Sequence, residues 1–188
     1  GNTLYWKFNR QRLDAESLRD TLLLISGTLD PKPQTEPYPI PPSSRWGYTQ
    51  HHPFKDDYPS SKRSVYLMTK RLTATPYLQT FDGADPNVCT GTRDSSVTAL
   101  QALYFVNDEF LHEQAALFAK RIVKENRDDD ERLERAFRSA LARPPTDEER
   151  TLLLQHLQAV RRQSKDDATA WASVTRSLFR LNEFMYLD

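Results

Sequence analysis

Apolar residues recur every three or four positions along the last third of the chain. The repeat is clearest over about 129–142, 146–163 and 168–184. This period is that of one face of an α-helix, so it predicts three amphipathic helices that pack as one unit. The side chains that this pattern predicts to be buried are Phe137, Leu157, Trp171 and Leu178.

Capping residues mark where several of the predicted helices begin and end. Asp14 is placed to cap a helix that runs to about Ser26, and Gly27 can end it in the left-handed conformation. Thr146 with Glu149 three residues later forms a capping-box pattern at the start of the helix over 146–163.

Shorter apolar patterns fill the middle of the chain. Residues 76–81 predict one helical turn. A helix capped by Ser95 or Ser96 should follow and carry Val97, Leu100, Leu103 and Tyr104 as its apolar positions. Asn107-Asp108 breaks or re-caps it, and a second helix over about 109–125 comes next. Residues 63–71 fit a short strand or one helical turn, and their β-branched and aromatic content favours the extended form.

A proline-rich segment over 29–62 interrupts the helical pattern. It holds eight prolines, which exclude a helix interior and predict a long extended loop. The segment also carries aromatic residues that can pack on a core or stack on sugar rings. The candidate aromatic platform consists of Trp46, Tyr48 and Tyr58.

Together these patterns predict a mainly α fold. We expect an irregular helical bundle with a long Pro-rich extended loop and at most one short strand pair. The 188 residues fit a single helical domain over 1–188. Because the sequence begins Gly-Asn without an initiator Met, we expect it to be a piece of a longer protein.

Composition narrows the function classes. Twenty-six basic and 26 acidic residues cancel, whereas a nucleic-acid binder normally carries a basic excess, so no nucleic-acid partner is expected. No apolar run approaches the roughly 18 residues of a membrane helix, so no membrane insertion is expected. The single cysteine, Cys89, excludes an intrachain disulfide and a c-type haem attached to this chain.

The loop over 82–94 carries residue types that suit either a metal site or a capped turn. Asp82, Asp85 and Asn87 offer oxygen ligands to a hard cation such as calcium. The loop lacks the long alternating run and distal Glu of a calcium loop, and Asp and Asn favour turns by bonding their own backbone. We therefore expect a structured connection without metal, in which Asp82 or Asp85 accepts hydrogen bonds from backbone amides or an arginine. The expected arginine partners are Arg63, Arg71 and Arg93.

Other reactive side chains lack a supporting pattern. His51-His52 with Asp56 and Asp57 can ligate a metal, but nothing nearby fixes a third ligand, so solvated loop residues are favoured. Cys89 would need a base supplied by the fold to act as a nucleophile. No nucleophile elbow, phosphate loop or HExxH motif occurs, so no catalytic residue is assigned.

Charges on the first helix have two interpretations. Paired carboxylates can do acid–base chemistry. However, Arg12 and Glu16 are four residues apart and Glu16 and Arg19 three apart, which is the spacing of ordinary helix ion pairs. Charges that are solvated or paired within the chain are therefore favoured over acid–base chemistry.

Several motifs in order resemble a known family. They are NRQRLDAESLRD with SGTLD, KRSVYLMTKR, FDGADPNVCT, VTALQALYFVND, LARPPTDEE and SLFRLNEFMYLD. In this order they resemble the planctomycete-specific domain 1 family, also called domain of unknown function 1553, from near residue 2 to the C-terminus. The family pattern more often has Ser or Thr at position 89, so the resemblance gives Cys89 no required role.

The resemblance implies a setting rather than an activity. Domains of this family typically close the C-terminus of large exported proteins, behind a companion domain of unknown function and often a cytochrome c-like domain. It implies an exported, periplasmic or cell-surface parent whose upstream domains are partners of this one. Any haem would belong to an upstream domain, and no cofactor is expected in this chain.

The resemblance also suggests where a ligand would bind. The family motifs match a set of polar residues around the 75–96 junction, which is therefore the candidate polar binding site. Its members are Arg63, Tyr66, Arg71, Asp82, Asp85, Arg93, Gln101 and Asn107.

Two functions follow as hypotheses. The first is a non-catalytic accessory or protein-interaction domain of a cytochrome c-associated protein. The alternative is a module that binds or hydrolyses carbohydrate with the loop aromatics and with Asp82 and Asp85 as carboxylates. Two carboxylates roughly 5–10 Å apart in a cleft flanked by aromatics would favour the alternative. An exposed apolar patch would favour docking.

Overall fold

The structure is a computed structural model, and it describes residues 4, 6, 8–35, 58–71, 75–164 and 166–187. Several residues singled out in the sequence lie outside this part of the chain. They are Trp46, Tyr48, His51, His52, Asp56 and Asp57, together with most of the Pro-rich segment.

The described residues form a mainly α fold, as predicted. In chain order, the elements are β1 (Gln11–Arg12), α1 (Ala15–Ser26), a 3-10 turn (Ser64–Tyr66), α2 (Pro76–Thr80), α3 (Ala99–Asn107), α4 (Glu109–Glu125), α5 (Asp129–Leu141), α6 (Asp147–Ser164), α7 (Asp167–Phe179), α8 (Asn182–Met185) and β2 (Tyr186–Leu187).

One short strand pair joins the two ends of the described chain. β1 and β2 are antiparallel, with Gln11 opposite Leu187 and Arg12 opposite Tyr186. The Leu13 amide adds a hydrogen bond to the Met185 carbonyl at 2.8 Å. The prediction of at most one strand pair is confirmed for the described residues. The pairing also fixes the backbone of Arg12, whose side chain is part of the candidate site.

The core is centred on the contact between α4 and α7. These two helices make the most extensive helix–helix contact, and Phe118 stacks on Phe179 with ring centroids 5.9 Å apart. The four side chains predicted to be buried are buried: Phe137, Leu157, Trp171 and Leu178. The three C-terminal helices contact one another, as predicted, and α7 also packs on α4, more extensively than on α5 or α6.

Caps end or begin the helices largely where the sequence predicts. The Asp14 carboxylate accepts a hydrogen bond from the Ser17 amide at 2.6 Å, and Gly27 ends α1 with a φ of 82°. Asp108 caps α4 in the same way, with the Leu111 amide as donor. At α6 the Glu149 amide donates to the Thr146 hydroxyl at 3.2 Å, and the Thr146 amide donates to the Glu149 carboxylate at 2.8 Å. The predicted capping box is confirmed.

Removing the Thr146 hydroxyl should destabilise the fold modestly. Thr146→Ala leaves the Glu149 amide without its capping acceptor, so we expect the free energy of unfolding to fall by about 1 kcal/mol. Urea denaturation measures this, with Thr151→Ala on the same helix as the control. A Thr146→Ala variant that unfolds at the wild-type urea concentration would contradict the cap.

An ionic cluster ties the start of α6 to α8. Arg143 donates to both carboxylate oxygens of Glu149 at 2.7 and 2.8 Å, and to those of Glu183 at 2.6 and 2.8 Å. The hydrogen bonds from Arg143 lower the pKa of Glu149 to about 2. The charged form of Glu149 is therefore favoured in the folded chain.

This pKa has a consequence for acid stability. Because the folded pKa of Glu149 lies below its ordinary value of 4.5, its stabilising effect is complete above that value and is lost as the pH falls towards 2. We expect Glu149→Gln to reduce the dependence of unfolding free energy on pH between about 5 and 2. Urea unfolding at a series of pH values measures this dependence. A variant with the same pH dependence as the wild type would contradict the lowered pKa of Glu149. Glu148→Gln, one residue earlier, is the control.

Some local predictions were wrong. Residues 64–66 form a 3-10 turn rather than a strand. The cap of α3 is Thr98, while Ser96 bonds elsewhere. Arg180 ends α7, so the helix predicted over about 168–184 is too long.

The inward face of α3 also differs from the prediction. Its buried residues are Gln101 and Phe105, with Tyr104 partly buried against the core. Val97, Leu100 and Leu103, which the apolar pattern selects, are exposed.

Candidate functional site

The candidate site is built around the end of α2. Asp82 follows this helix with a left-handed φ of 57°, and the Gly83 amide donates to the Leu78 carbonyl at 2.6 Å. This six-to-one bond is that of a Schellman motif. A Cβ on Gly83 would lie 2.8 Å from the Leu78 Cβ, so the turn requires glycine there. The motif ends α2 abruptly and points the chain into the 82–94 loop.

The Asp82 carboxylate is held by a set of donors. It accepts hydrogen bonds from the Arg12 guanidinium, from the Ser96 amide at 2.8 Å and from the Ser96 hydroxyl at 2.8 and 2.9 Å. The Arg12 side chain is only 4% exposed. The expectation that this loop's carboxylates accept from backbone amides or an arginine is confirmed, but the arginine is Arg12 and not Arg63, Arg71 or Arg93.

Gln101 extends this network into α3. Its side-chain amide donates to the Thr80 carbonyl at 2.9 Å and to the Ser96 hydroxyl at 3.2 Å. Its carbonyl oxygen accepts from the Thr98 amide, which completes the capping box of α3. Gln101 therefore joins α2, the loop and α3, and its polar groups are used within the fold.

Asp85 is not part of the hydrogen-bond network of Asp82. It is exposed, and its carboxylate accepts from the Asn87 amide at 2.9 Å and the Asn87 side chain at 3.2 Å. The Asn87 side chain also donates to the Arg71 carbonyl at 3.3 Å. Asp85 and Asn87 thus shape a turn and hold the Arg71 backbone beside it.

Two of the three predicted arginines, Arg63 and Arg93, lie beside α1. Arg93 donates to both oxygens of Glu16 at 2.6 and 2.9 Å, and this contact raises the pKa of Arg93. Arg63 lies 3.8 Å from the Asp20 carboxylate. With Ser64 and Val65, these residues line a cavity of about 490 Å³.

The charges near the first helix form ion pairs within the chain, as favoured, but not with the partners that their sequence spacing suggested. Glu16 bonds to Arg93, which lies 77 residues away. Arg19 donates to the carbonyls of Ser60 and Lys62 and to the Ser64 hydroxyl. These charges fix the 60–64 segment and the 82–94 loop onto α1 rather than stabilising the helix alone.

The remaining members of the candidate polar site lie further out. Tyr66 ends the 3-10 turn and is half-buried, and Asn107 is the exposed last residue of α3. Neither lines this cavity or the two other cavities of the junction, of about 220 and 360 Å³. The structure therefore brings Asp82 and Gln101 into one network and Arg63 and Arg93 into one cavity wall, with Arg71, Asp85, Tyr66 and Asn107 outside both.

Sequence reasoning missed the roles of three residues that organise the junction. Arg12 and Ser96 donate hydrogen bonds to the Asp82 carboxylate. Tyr77 donates a hydrogen bond from its hydroxyl to the Ala15 carbonyl at 2.6 Å. Burial raises the pKa of Tyr77. No spacing in the sequence links Arg12 to Asp82, because the two lie 70 residues apart.

Cavities surround the chain over 67–70 in this junction. A second one of about 220 Å³ is lined by Asp85 and Asn87 together with Gly83 and Gln79. A third, of about 360 Å³, has a mostly aromatic and aliphatic wall that includes Tyr58 of the candidate platform. Thr69, Lys70 and Leu78 each border more than one of the three cavities.

Metal-ligating side chains do not converge within the described ranges. No group of three or more His, Cys, Asp or Glu residues there is arranged to hold an ion. Cys89 is exposed in the loop.

An apolar surface lies on α3. Val97, Leu100, Leu103 and Val106 are 79%, 67%, 52% and 44% exposed, and we call them the α3 stripe. Leu100, Leu103 and Val106 follow one another at intervals of three residues on α3 and so share one side of the helix, and Val97 lies just before the capping residue Thr98. The helix sequence ALQALYFVN contains no charged residue. The stripe is therefore a contiguous apolar surface facing solvent.

The chain belongs to a family of proteins of unknown function. The sequence model of the family described as PSD1, protein of unknown function (DUF1553), matches residues 1–157. This range includes the whole junction from Arg12 to Gln101 and the α3 stripe. No curated protein and no solved structure matches the chain.

None of the described helices is both long and apolar enough to cross a membrane.

Proposed function

We propose that this domain is a non-catalytic interaction domain that docks through the α3 stripe onto another domain of the same polypeptide. The observation that carries the proposal is the stripe itself. Its four apolar side chains are 44–79% exposed, three of them on a helix without charge and Val97 just before the start of that helix. Contiguous apolar surface of this kind is typical of interaction sites.

The size of the stripe favours a partner in the same chain. A stable complex of separate proteins buries roughly 800 Å² on each partner, which is more than four side chains supply. A covalently linked domain meets the stripe at a high effective concentration, so a smaller contact is sufficient. The family resemblance, which implies upstream domains, gives such a partner. Its contacting face should be apolar, because the stripe offers no charged group.

The setting is proposed on the same resemblance. The parent would be an exported, periplasmic or cell-surface protein, and any haem would be held by an upstream cytochrome c-like domain. This chain would contribute a rigid docking surface. The Asp82 network supports that role, because it joins α3 to the loop and to β1 through Gln101, Ser96 and Arg12.

The carbohydrate alternative receives less support. Hydrolysis would need Asp82 as an accessible carboxylate, and Asp82 accepts hydrogen bonds from Arg12 and Ser96 instead. Of the aromatic platform, Tyr58 lines the 360 Å³ cavity, while Trp46 and Tyr48 lie outside the described residues. Asp85 lines a different, smaller cavity. We therefore place docking ahead of carbohydrate binding.

A pair of charge substitutions in the complete natural polypeptide tests the proposal. Leu103→Arg puts a charge in the stripe, and Leu152→Arg puts one at a similarly exposed leucine on α6. We expect Leu103→Arg to speed amide hydrogen exchange over 99–107 because the stripe loses its cover, and Leu152→Arg to leave that segment unchanged. Wild-type exchange rates over 99–107 in Leu103→Arg would overturn the proposal.

A further inference from the structure

The 360 Å³ cavity has the size of a small-ligand site. Ligand pockets in proteins are usually about 300–1,000 Å³ and largely apolar. The segment over 58–70 forms one side of this cavity, and α1, α2, α3 and α4 contribute the rest. Because an apolar cavity of about 150 Å³ holds one benzene ring, a volume of about 360 Å³ suits a compound of two fused rings.

Aromatic rings and flexible apolar side chains form most of the described wall. The rings of Tyr77 and Tyr104 lie 5.3 Å apart between centroids, and Phe110 adds a third ring. Met68 is the adaptable part of the wall, because an unbranched thioether fills irregular spaces and makes favourable contacts with aromatic rings. An aromatic compound therefore meets ring and sulfur surfaces that both favour it.

The polar side chains of the wall are already engaged. Arg19, Tyr58 and Lys70 each have an interaction partner. The Tyr77 hydroxyl donates to the Ala15 carbonyl at 2.6 Å. A charged ligand would have to displace one of these partners or keep its own charge unpaired against an apolar wall, which is costly. The cavity therefore favours an uncharged ligand.

We infer that this cavity binds an uncharged aromatic compound of two fused rings, with the rings beside Met68. The driving force is the removal of the rings and of the apolar wall from water. A sugar fits less well, because its hydroxyls need several polar partners. The residues of the α3 stripe do not line the cavity, so the inference does not depend on docking.

The two methionines of the chain allow NMR to locate the ligand. With isotope-labelled methionine methyl groups, the 188-residue chain gives signals from Met68 and Met185 alone. Met68 lines the cavity, whereas Met185 ends α8 and is not among the lining residues. Titration with 2-naphthamide should shift the Met68 signal saturably and leave the Met185 signal in place. No saturable shift of Met68, or an equal shift of Met185, would overturn the inference.

Two related compounds test the size and the charge of the ligand by calorimetry. Benzamide lacks the second ring, and 2-naphthoate has a carboxylate in place of the amide. We expect each to bind about tenfold or more weakly than 2-naphthamide, because benzamide buries less apolar area and 2-naphthoate brings an unpaired charge. Benzamide that binds as tightly would contradict the two-ring size, and 2-naphthoate that binds as tightly would contradict the uncharged class.

A substitution in the wall tests the contact with the rings. Met68→Ala should bind 2-naphthamide about fivefold or more weakly, because it removes apolar surface from the cavity. Val65→Ala, at a position 70% exposed and outside this cavity, should bind it as the wild type does. A folded Met68→Ala protein with wild-type affinity would place the compound elsewhere. The NMR comparison on the wild-type chain decides the inference even if Met68→Ala fails to fold.

Discussion

Leu178→Asp should lower the free energy of unfolding by about 4 kcal/mol or more, because it places an unpaired carboxylate in an apolar core. Leu178 is 1% exposed on α7, the helix that packs most extensively against α4. The loss would therefore affect the centre of the fold and not one helix end. Chemical denaturation followed by circular dichroism measures it.

A matched substitution controls for the change of residue type. Leu152→Asp, at a position 65% exposed on α6, should change the free energy of unfolding by less than about 1 kcal/mol. A Leu178→Asp protein that melts with the wild type would show that the inward face assigned to α7 is wrong.

Asp82→Asn should also destabilise the domain strongly, by about 3 kcal/mol. The substitution keeps the size of the side chain but removes the negative charge beside Arg12, whose side chain is 4% exposed. Breaking a buried ion pair leaves the remaining charge uncompensated, which is more harmful than losing an exposed pair. Asp85→Asn, three residues away and exposed, should change stability by less than about 0.5 kcal/mol.

Calcium distinguishes this structural role from metal binding. If the loop holds no metal, titration with calcium or a chelator should leave the melting temperature of both proteins unchanged, whereas binding to the folded state would raise it with calcium concentration. A calcium-dependent rise that Asp82→Asn abolishes would turn the 82–94 loop from a connection into a metal site.

The sequence predicts most helices because two independent signals agree. Period and caps together locate α1, α4 and α6 to within one or two residues, and the period alone does so for α5. At α6, for example, the apolar period makes Leu157 inward and the Thr146–Glu149 pair marks the start. Such local signals need no knowledge of the rest of the fold.

The same reasoning fails on α3 for a physical reason. Because ALQALYFVN has no charged residue, no polar face tells which side of the helix meets solvent. Leu100 and Leu103 fit one inward face, and Tyr104 and Phe105 fit another. The structure selects the aromatic side, where Phe105 packs edge-to-face on Phe81, and Gln101 bonds to the end of α2.

Long-range ion pairs are the second feature of the structure that sequence spacing cannot predict. Arg12, Glu16 and Arg19 have the spacing of helix pairs, but Arg12 precedes α1 and reaches Asp82, while Glu16 reaches Arg93. These contacts depend on how β1 pairs with β2 and on how the loop lies across α1. The Asp82 network could therefore be anticipated as a polar junction, but its basic partner could not be identified.

Crosslinking from position 103 tests the docking claim most directly. A photoreactive amino acid replaces Leu103 in the complete natural polypeptide, and in a second protein it replaces Leu152, which is similarly exposed on α6. We expect position 103 to form intramolecular crosslinks to an apolar segment of another domain and position 152 to form none. If position 103 captures no other domain, or no more than position 152 does, the α3 stripe is not a docking surface.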